Sequence, residues 1–154
     1  MTKEEINEFS KRIAQSNKTQ LVAVTYDIIL NYINSATDSL EEGSYRAYVQ
    51  NLHKAQQLID NLIASLDFKY ELSYELLSLY GYANKCIAKS IVRKKNCDLN
   101  VVTDMMSKLK ESFEKISNED NSGTVMKGSG AVYAGLTYGK GDINEITDPG
   151  STYN

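Results

Sequence analysis

Apolar residues recur at alternating three- and four-residue steps through four long stretches of this chain, and no proline interrupts them before Pro149. The clearest stripe is Tyr45, Tyr48, Leu52, Ala55, Ile59, Leu62 and Leu66; another runs Leu99, Val102, Met106, Leu109, Phe113 and Ile116. Such spacing lays an apolar face along one side of each helix. Without an internal proline nothing forces those helices to break. The pattern therefore predicts an all-α fold.

Local signals set the helix ends. Thr2 with Glu5 three residues later makes a capping box for a short opening helix over 3–16. Ser16-Asn17-Lys18-Thr19 supplies caps for a second helix over 19–41. Gly43 suits a left-handed helix end, and Ser44 starts a third helix over 44–66. The connection Asp67-Phe68-Lys69-Tyr70 leads into a fourth helix at about 71–95, and Asp98 is the expected N-cap of a fifth over 99–117. Helices of this length joined by short links run antiparallel to their neighbours. The expected architecture is an antiparallel four-helix bundle with a short N-terminal helix, spanning 1–117. Residues 118–154 hold seven of the nine glycines and lack periodicity, so a flexible tail is expected there. Within it, 132–138 is more apolar and is a candidate to dock on the bundle or on a partner.

Charge and composition exclude several functions. Residues 1–117 hold 15 acidic and 15 basic side chains, so the net charge of −3 belongs to the tail. A neutral body offers no electrostatic reason to bind nucleic acid or a membrane surface. The longest apolar run, 21–30, is broken by Asp27 and too short to cross a bilayer. Cys86 and Cys97 lie 11 residues apart with no metal-ligand or CxxC spacing, which fits a reducing cytoplasm. A di-metal carboxylate site needs paired Glu-x-x-His motifs. The chain has one histidine, His53, and Gln50 stands where the motif requires a glutamate. No cofactor and no catalytic group are expected. Two alternatives stay open at this point. His53 beside the core stripe would suit a phosphotransfer bundle, although the usual His-x-x-Lys-Gly is replaced by His53-Lys54-Ala55-Gln56-Gln57. A homodimeric helical adaptor needs no chemistry at all. Lys85, Lys89, Arg93, Lys94 and Lys95 form a basic stripe that reads first as a solvated face complementing a helix C-terminus.

Several helices carry more apolar surface than one core face requires. The second has a core stripe of Leu21, Val24, Ile28, Tyr32, Ala36 and Leu40, plus a second ridge of Val22, Tyr26, Ile29 and Ile33. The fourth has Leu72, Leu76, Leu79, Ala83 and Cys86 as core, with Leu77, Tyr80, Ile87 and Ile91 alongside. The third adds Leu58 and Ile63, and the last adds Val101 and Met105. Together these residues predict a groove for another amphipathic helix, with Val22, Tyr26, Ile29, Ile33, Leu58, Leu77, Tyr80 and Ile87 as its contacts. Homodimerisation would cover the same surface. Eleven tyrosines and no tryptophan fit a surface that combines contact area with a polar edge.

Three ordered blocks carry a family resemblance. Leu21-Val22, Tyr26-Asp27, Ile33, Ala36 and Leu40-Glu41-x-Gly43 resemble the first long helix of flagellar secretion chaperones, the FliS family. Lys54-Ala55-Gln56-x-Leu58-Ile59 through Leu66-Asp67 is similar to the second block, and Leu79-Tyr80-Gly81-Tyr82 to the third. Phe113 stands where the family often has tryptophan, and no proline precedes the first long helix. The resemblance implies a cytoplasmic, non-enzymatic helical chaperone whose partner is the C-terminal region of flagellin. It also implies delivery to the export gate of the flagellar type III apparatus. The N-terminal segment that docks there in the family is short in this chain, so no residue is carried over for that contact.

Overall fold

The computed structural model describes residues 1–119 and 123–125, all of whose regular structure is helical. Five helices follow one another: α1 (Lys3–Gln15), α2 (Lys18–Glu41), α3 (Tyr45–Ala64), α4 (Leu72–Arg93) and α5 (Leu99–Ser117). The tail expected at 118–154, including 132–138, lies almost wholly outside the described residues.

Caps explain most of the boundaries. The Glu5 amide donates to Thr2 Oγ1 at 3.2 Å while the Thr2 amide donates to the Glu5 carboxylate at 2.6 Å, closing the predicted capping box. Asn17 and Gln20 form a second reciprocal pair, with Gln20 N–H on Asn17 Oδ1 at 2.8 Å and Asn17 N–H on Gln20 Oε1 at 3.0 Å. Gly43 ends α2 with φ +78, a conformation in which a Cβ would be strained. At α5 the expectation is corrected. Asp98 stands at the N-cap position, its carbonyl accepting the Val102 N–H at 3.2 Å, but it takes φ 62 and the side-chain cap comes from Asn96, whose Oδ1 accepts the Leu99 N–H at 2.9 Å. The two-residue offset between them is absorbed by the left-handed turn at Asp98, which Asp tolerates better than most residues.

The chain divides into two compact units. The first comprises residues 1–25 and the described residues from 109 onward. It buries Phe9 and Ile13 of α1 with Ala23 and Val24 of α2, and the Val125 N–H donates to the Ser16 carbonyl at 3.0 Å.

The second unit, Tyr26–Lys108, holds most of α2, all of α3 and α4, and the first half of α5. α3 and α4 are antiparallel: Tyr48, early in α3, bonds Ser90 late in α4, while Asn84 Nδ2 donates to Asp60 Oδ1, late in α3, at 2.9 Å. α2 joins them through Tyr26 and Tyr80, and the start of α5 lies beside Ile33 and Thr37 of α2. The core is made by Ile28, Ile29, Ile33, Ala36, Leu52, Ala55, Leu58, Ile59, Ala83, Ile87, Leu99, Val102 and Met106.

Burial changes the inside and outside of two helices. On α2 both apolar ridges are enclosed: Tyr26, Ile29 and Ile33 are as buried as Val24, Ile28 and Ala36. On α4 the buried line is Ser73, Leu76, Tyr80, Ala83, Cys86, Ile87 and Ser90. Leu72 and Leu79, expected in the core, are 51% and 36% exposed. Tyr45, expected to open the α3 stripe, is half exposed, with the Lys94 ammonium 5.8 Å from its ring centroid.

Candidate functional surface

The eight residues expected to receive a partner do not form an open groove. Tyr26, Ile29, Ile33, Leu58, Tyr80 and Ile87 are fully or almost fully buried within the chain itself. Val22 is half-buried, and Leu77 is exposed on α4. The ridge predicted beside the core is thus corrected to be core. The chain's own helices cover these six side chains, which removes the surplus.

At the centre of this corrected core, the Tyr26 and Tyr80 hydroxyls lie 2.5 Å apart and their rings meet at 6.3 Å with a 49° tilt. Burial pushes the Tyr26 pKa far above its ordinary value, and the neighbouring Tyr80 hydroxyl raises it further. Burial also raises Tyr80, against the opposing effect of its hydrogen bond with Tyr26. Both phenols therefore stay neutral, and one hydroxyl donates to the other. This pair positions α4 against α2; it has no access to a substrate.

Positioning continues at the α4 C-terminus. The Tyr48 hydroxyl reaches the Ser90 and Lys95 carbonyls at 3.2 and 3.0 Å, supplying a donor to a helix end where carbonyls lack intrahelical partners. Lys94 ends the helix in the left-handed region, and the Cys97 amide donates to Ser90 Oγ at 2.9 Å. At the other end, Ser73 Oγ donates to the Asp67 carbonyl at 2.6 Å. These bonds hold the rotation of α4 about its own axis.

That rotation leaves Leu72, Leu79 and Tyr82 exposed on one side, because steps of seven and three residues return to nearly the same face. A hydrogen bond with the Cys86 thiol pushes the Tyr82 pKa up, and the nearby charge of Asp98 adds to the shift. Val101, three residues beyond Asp98, is also exposed. The α3–α4 connection adds Phe68 and Tyr70 and the first turn of α4 adds Tyr74, all exposed, with the Phe68 and Tyr74 rings tilted against each other at 5.0 Å. Sequence reasoning missed these residues as contacts. Their signal is an aromatic or leucine at every second position from 68 to 74, which is too dense for a solvent loop.

His53 is exposed on α3, with its Nδ1 3.1 Å from Gln56 Oε1. No helix among the described residues is long and apolar enough to cross a membrane. Among the described residues the exposed surface includes this apolar and aromatic contact area.

A comparison with curated proteins finds no match. The family model described as flagellar protein FliS matches residues 2–120, which takes in all five helices. With three family blocks in order on α2, α3 and α4 and a match over most of its length, the chain belongs to the FliS family of flagellar secretion chaperones.

Proposed function

We propose that this protein binds the C-terminal amphipathic segment of flagellin in the cytoplasm, keeps it from polymerising, and delivers it to the flagellar export apparatus. Family membership supports the flagellar role. The observation that supports a binding surface is the exposed line Leu72, Leu79 and Tyr82 on α4, with Phe68 and Tyr70 exposed in the connection before it. Large apolar side chains held outward by a well-bonded helix are suited to a partner helix whose own apolar face needs cover. Ordering a disordered segment costs roughly 2–5 kcal/mol. Covering a few side chains worth about 1.5–3 kcal/mol each offsets that cost.

In this reading Leu77 stays accessible on α4 as a marginal contact. Tyr26, Ile29, Ile33, Leu58, Tyr80 and Ile87 act from beneath by fixing the helices that present the surface. Delivery to the export gate has no residue assigned to it.

Titration calorimetry with a flagellin C-terminal peptide tests the proposal. Leu79→Asp and Tyr82→Ala alter exposed positions, so the helical circular dichroism and melting curve should be kept. Each should weaken binding about tenfold or more, equivalent to about 1.4 kcal/mol. No binding by the unaltered chain would overturn the flagellin assignment. Unchanged affinity in both variants would overturn the surface while leaving the partner in place.

A further inference from the structure

Charges on the outer side of α4 are segregated by sign. Glu71 and Glu75 stand at its N-terminal end and Lys85, Lys89 and Arg93 in its C-terminal half, all five exposed. Among the described residues, none of Glu71, Glu75, Lys89 and Arg93 has an ion-pair partner. A helix that faces only water gains from opposite charges interleaved at four-residue steps. Here Glu75 follows Glu71 at that step, and Lys89 and Arg93 follow Lys85. Like charges so spaced destabilise an isolated helix. The helix dipole favours acids in the first turn and Arg93 in the last. It does not reach Lys85, and it gives no reason for Tyr82 to stand 43% exposed between the two sets.

The spacing about Tyr82 is symmetric. Glu75 and Lys89 lie seven residues to either side of it, and Glu71 and Arg93 eleven. Steps of seven and eleven residues return to within about 20° of one helix face. The five side chains therefore form a single line that reads acid, acid, tyrosine, base, base. Turned end for end, that line is its own complement. We propose that α4 pairs antiparallel with α4 of a second copy about a two-fold axis at Tyr82. Glu71 and Glu75 of each copy then face Arg93 and Lys89 of the other, as an isologous contact requires. The two Tyr82 rings meet at the axis, and Lys85 falls beside Ser78 of the second copy rather than beside a like charge. In each copy the contact lies within one compact unit, Tyr26–Lys108. Exposed ion pairs are weak singly, and a contact along one helix is smaller than a permanent interface. The dimer is accordingly dissociable and salt-sensitive.

Sedimentation equilibrium of the full chain, at protein concentrations up to about 1 mM to reach millimolar Kd, provides the test. A dimer is expected at about 20 mM salt and a monomer at about 0.5 M. E71K/E75K makes the whole face basic and K89E/R93E makes it acidic, so each variant alone should self-associate about tenfold more weakly or worse. Mixed in equal amounts, the two should form a heterodimer. A monomeric original chain at low salt would overturn the proposal, and so would a mixture that stays monomeric. A dimer that both variants retain would place the contact elsewhere and overturn it as well. If the original chain is monomeric but binds a synthetic acidic helical peptide, and K89E/R93E does not, the face belongs to an acidic partner instead. Circular dichroism checks that the charge variants fold. Should they not, Tyr82→Cys decides: diamide should link it into a disulfide dimer, while His53→Cys on α3 should stay monomeric. Absence of the Tyr82→Cys crosslink would overturn the pairing.

Discussion

Tyr26 and Tyr80 each bring a ring and a hydroxyl into the core, and the two hydroxyls hydrogen-bond each other. A buried donor left without its acceptor costs about 1–3 kcal/mol, while replacing both partners by apolar groups of similar shape costs much less. Tyr26→Phe should therefore destabilise the protein by about 1–3 kcal/mol. Tyr26→Phe/Tyr80→Phe should lose less than the sum of its two single variants. Urea denaturation of the four proteins measures the coupling, and strictly additive losses would remove the hydroxyl pair as a stabilising unit. In the sequence both tyrosines are legible as apolar and as members of family blocks. Their mutual contact is not, because 54 residues separate them and helix periodicity carries no information about which side chains meet across a bundle.

At the scale of the element, α4 shows how far a pattern can be read. Apolar residues occupy so much of its circumference that two phases, one residue apart, give acceptable stripes. The expected phase puts Leu72 and Leu79 inside; the observed one buries Ser73, Tyr80, Ile87 and Ser90. Polar groups decide between them rather than apolar area. Ser73 closes on the Asp67 carbonyl, Ser90 receives the Cys97 amide, and Tyr80 meets Tyr26. A stripe argument counts serines as outward-facing and so assigns them to the wrong side. The large apolar side chains left exposed along α4 are consequently Leu72, Leu79 and Tyr82, while Tyr26, Ile29 and Ile33 are buried. The same helix holds Gly81, where an added Cβ would meet nothing within 4 Å. Gly81→Ala should stabilise the protein by about 0.5–1 kcal/mol, since alanine loses less chain entropy on entering a helix. A melting midpoint raised by a few degrees is the expected reading; a lowered one would show that Gly81 has a steric role the open space does not reveal.

For the whole molecule, stability at high pH follows from the buried phenols. The folded-state pKa values of Tyr26, Tyr48 and Tyr80 are all raised, in each case mainly by burial. A group whose pKa is higher when folded stabilises the protein fully below its unfolded value, about 10 for tyrosine, and loses that contribution as pH rises beyond it. Stability should therefore be insensitive to these groups at neutral pH and fall steeply above about pH 10. Phenolate absorbance and circular dichroism followed together check this, with a phase of ionisation accompanying the loss of helix. Ionisation of Tyr26, Tyr48 and Tyr80 with helix content intact would contradict the burial of these three.

What the sequence determined by itself was local. Helix existence, the capping box at Thr2 and Glu5, and the helix end at Gly43 follow from interactions within a few residues, which any chain with those residues would make. Asp98 precedes α5 as expected, and only the side-chain cap comes from a different residue, Asn96. The ordered family blocks also lie in the sequence, because they are matters of identity and spacing. Only the tertiary structure decided which apolar ridge was core and which stayed exposed. Whether a side chain is surplus depends on what stands opposite it, and that is a property of packed helices rather than of any one of them.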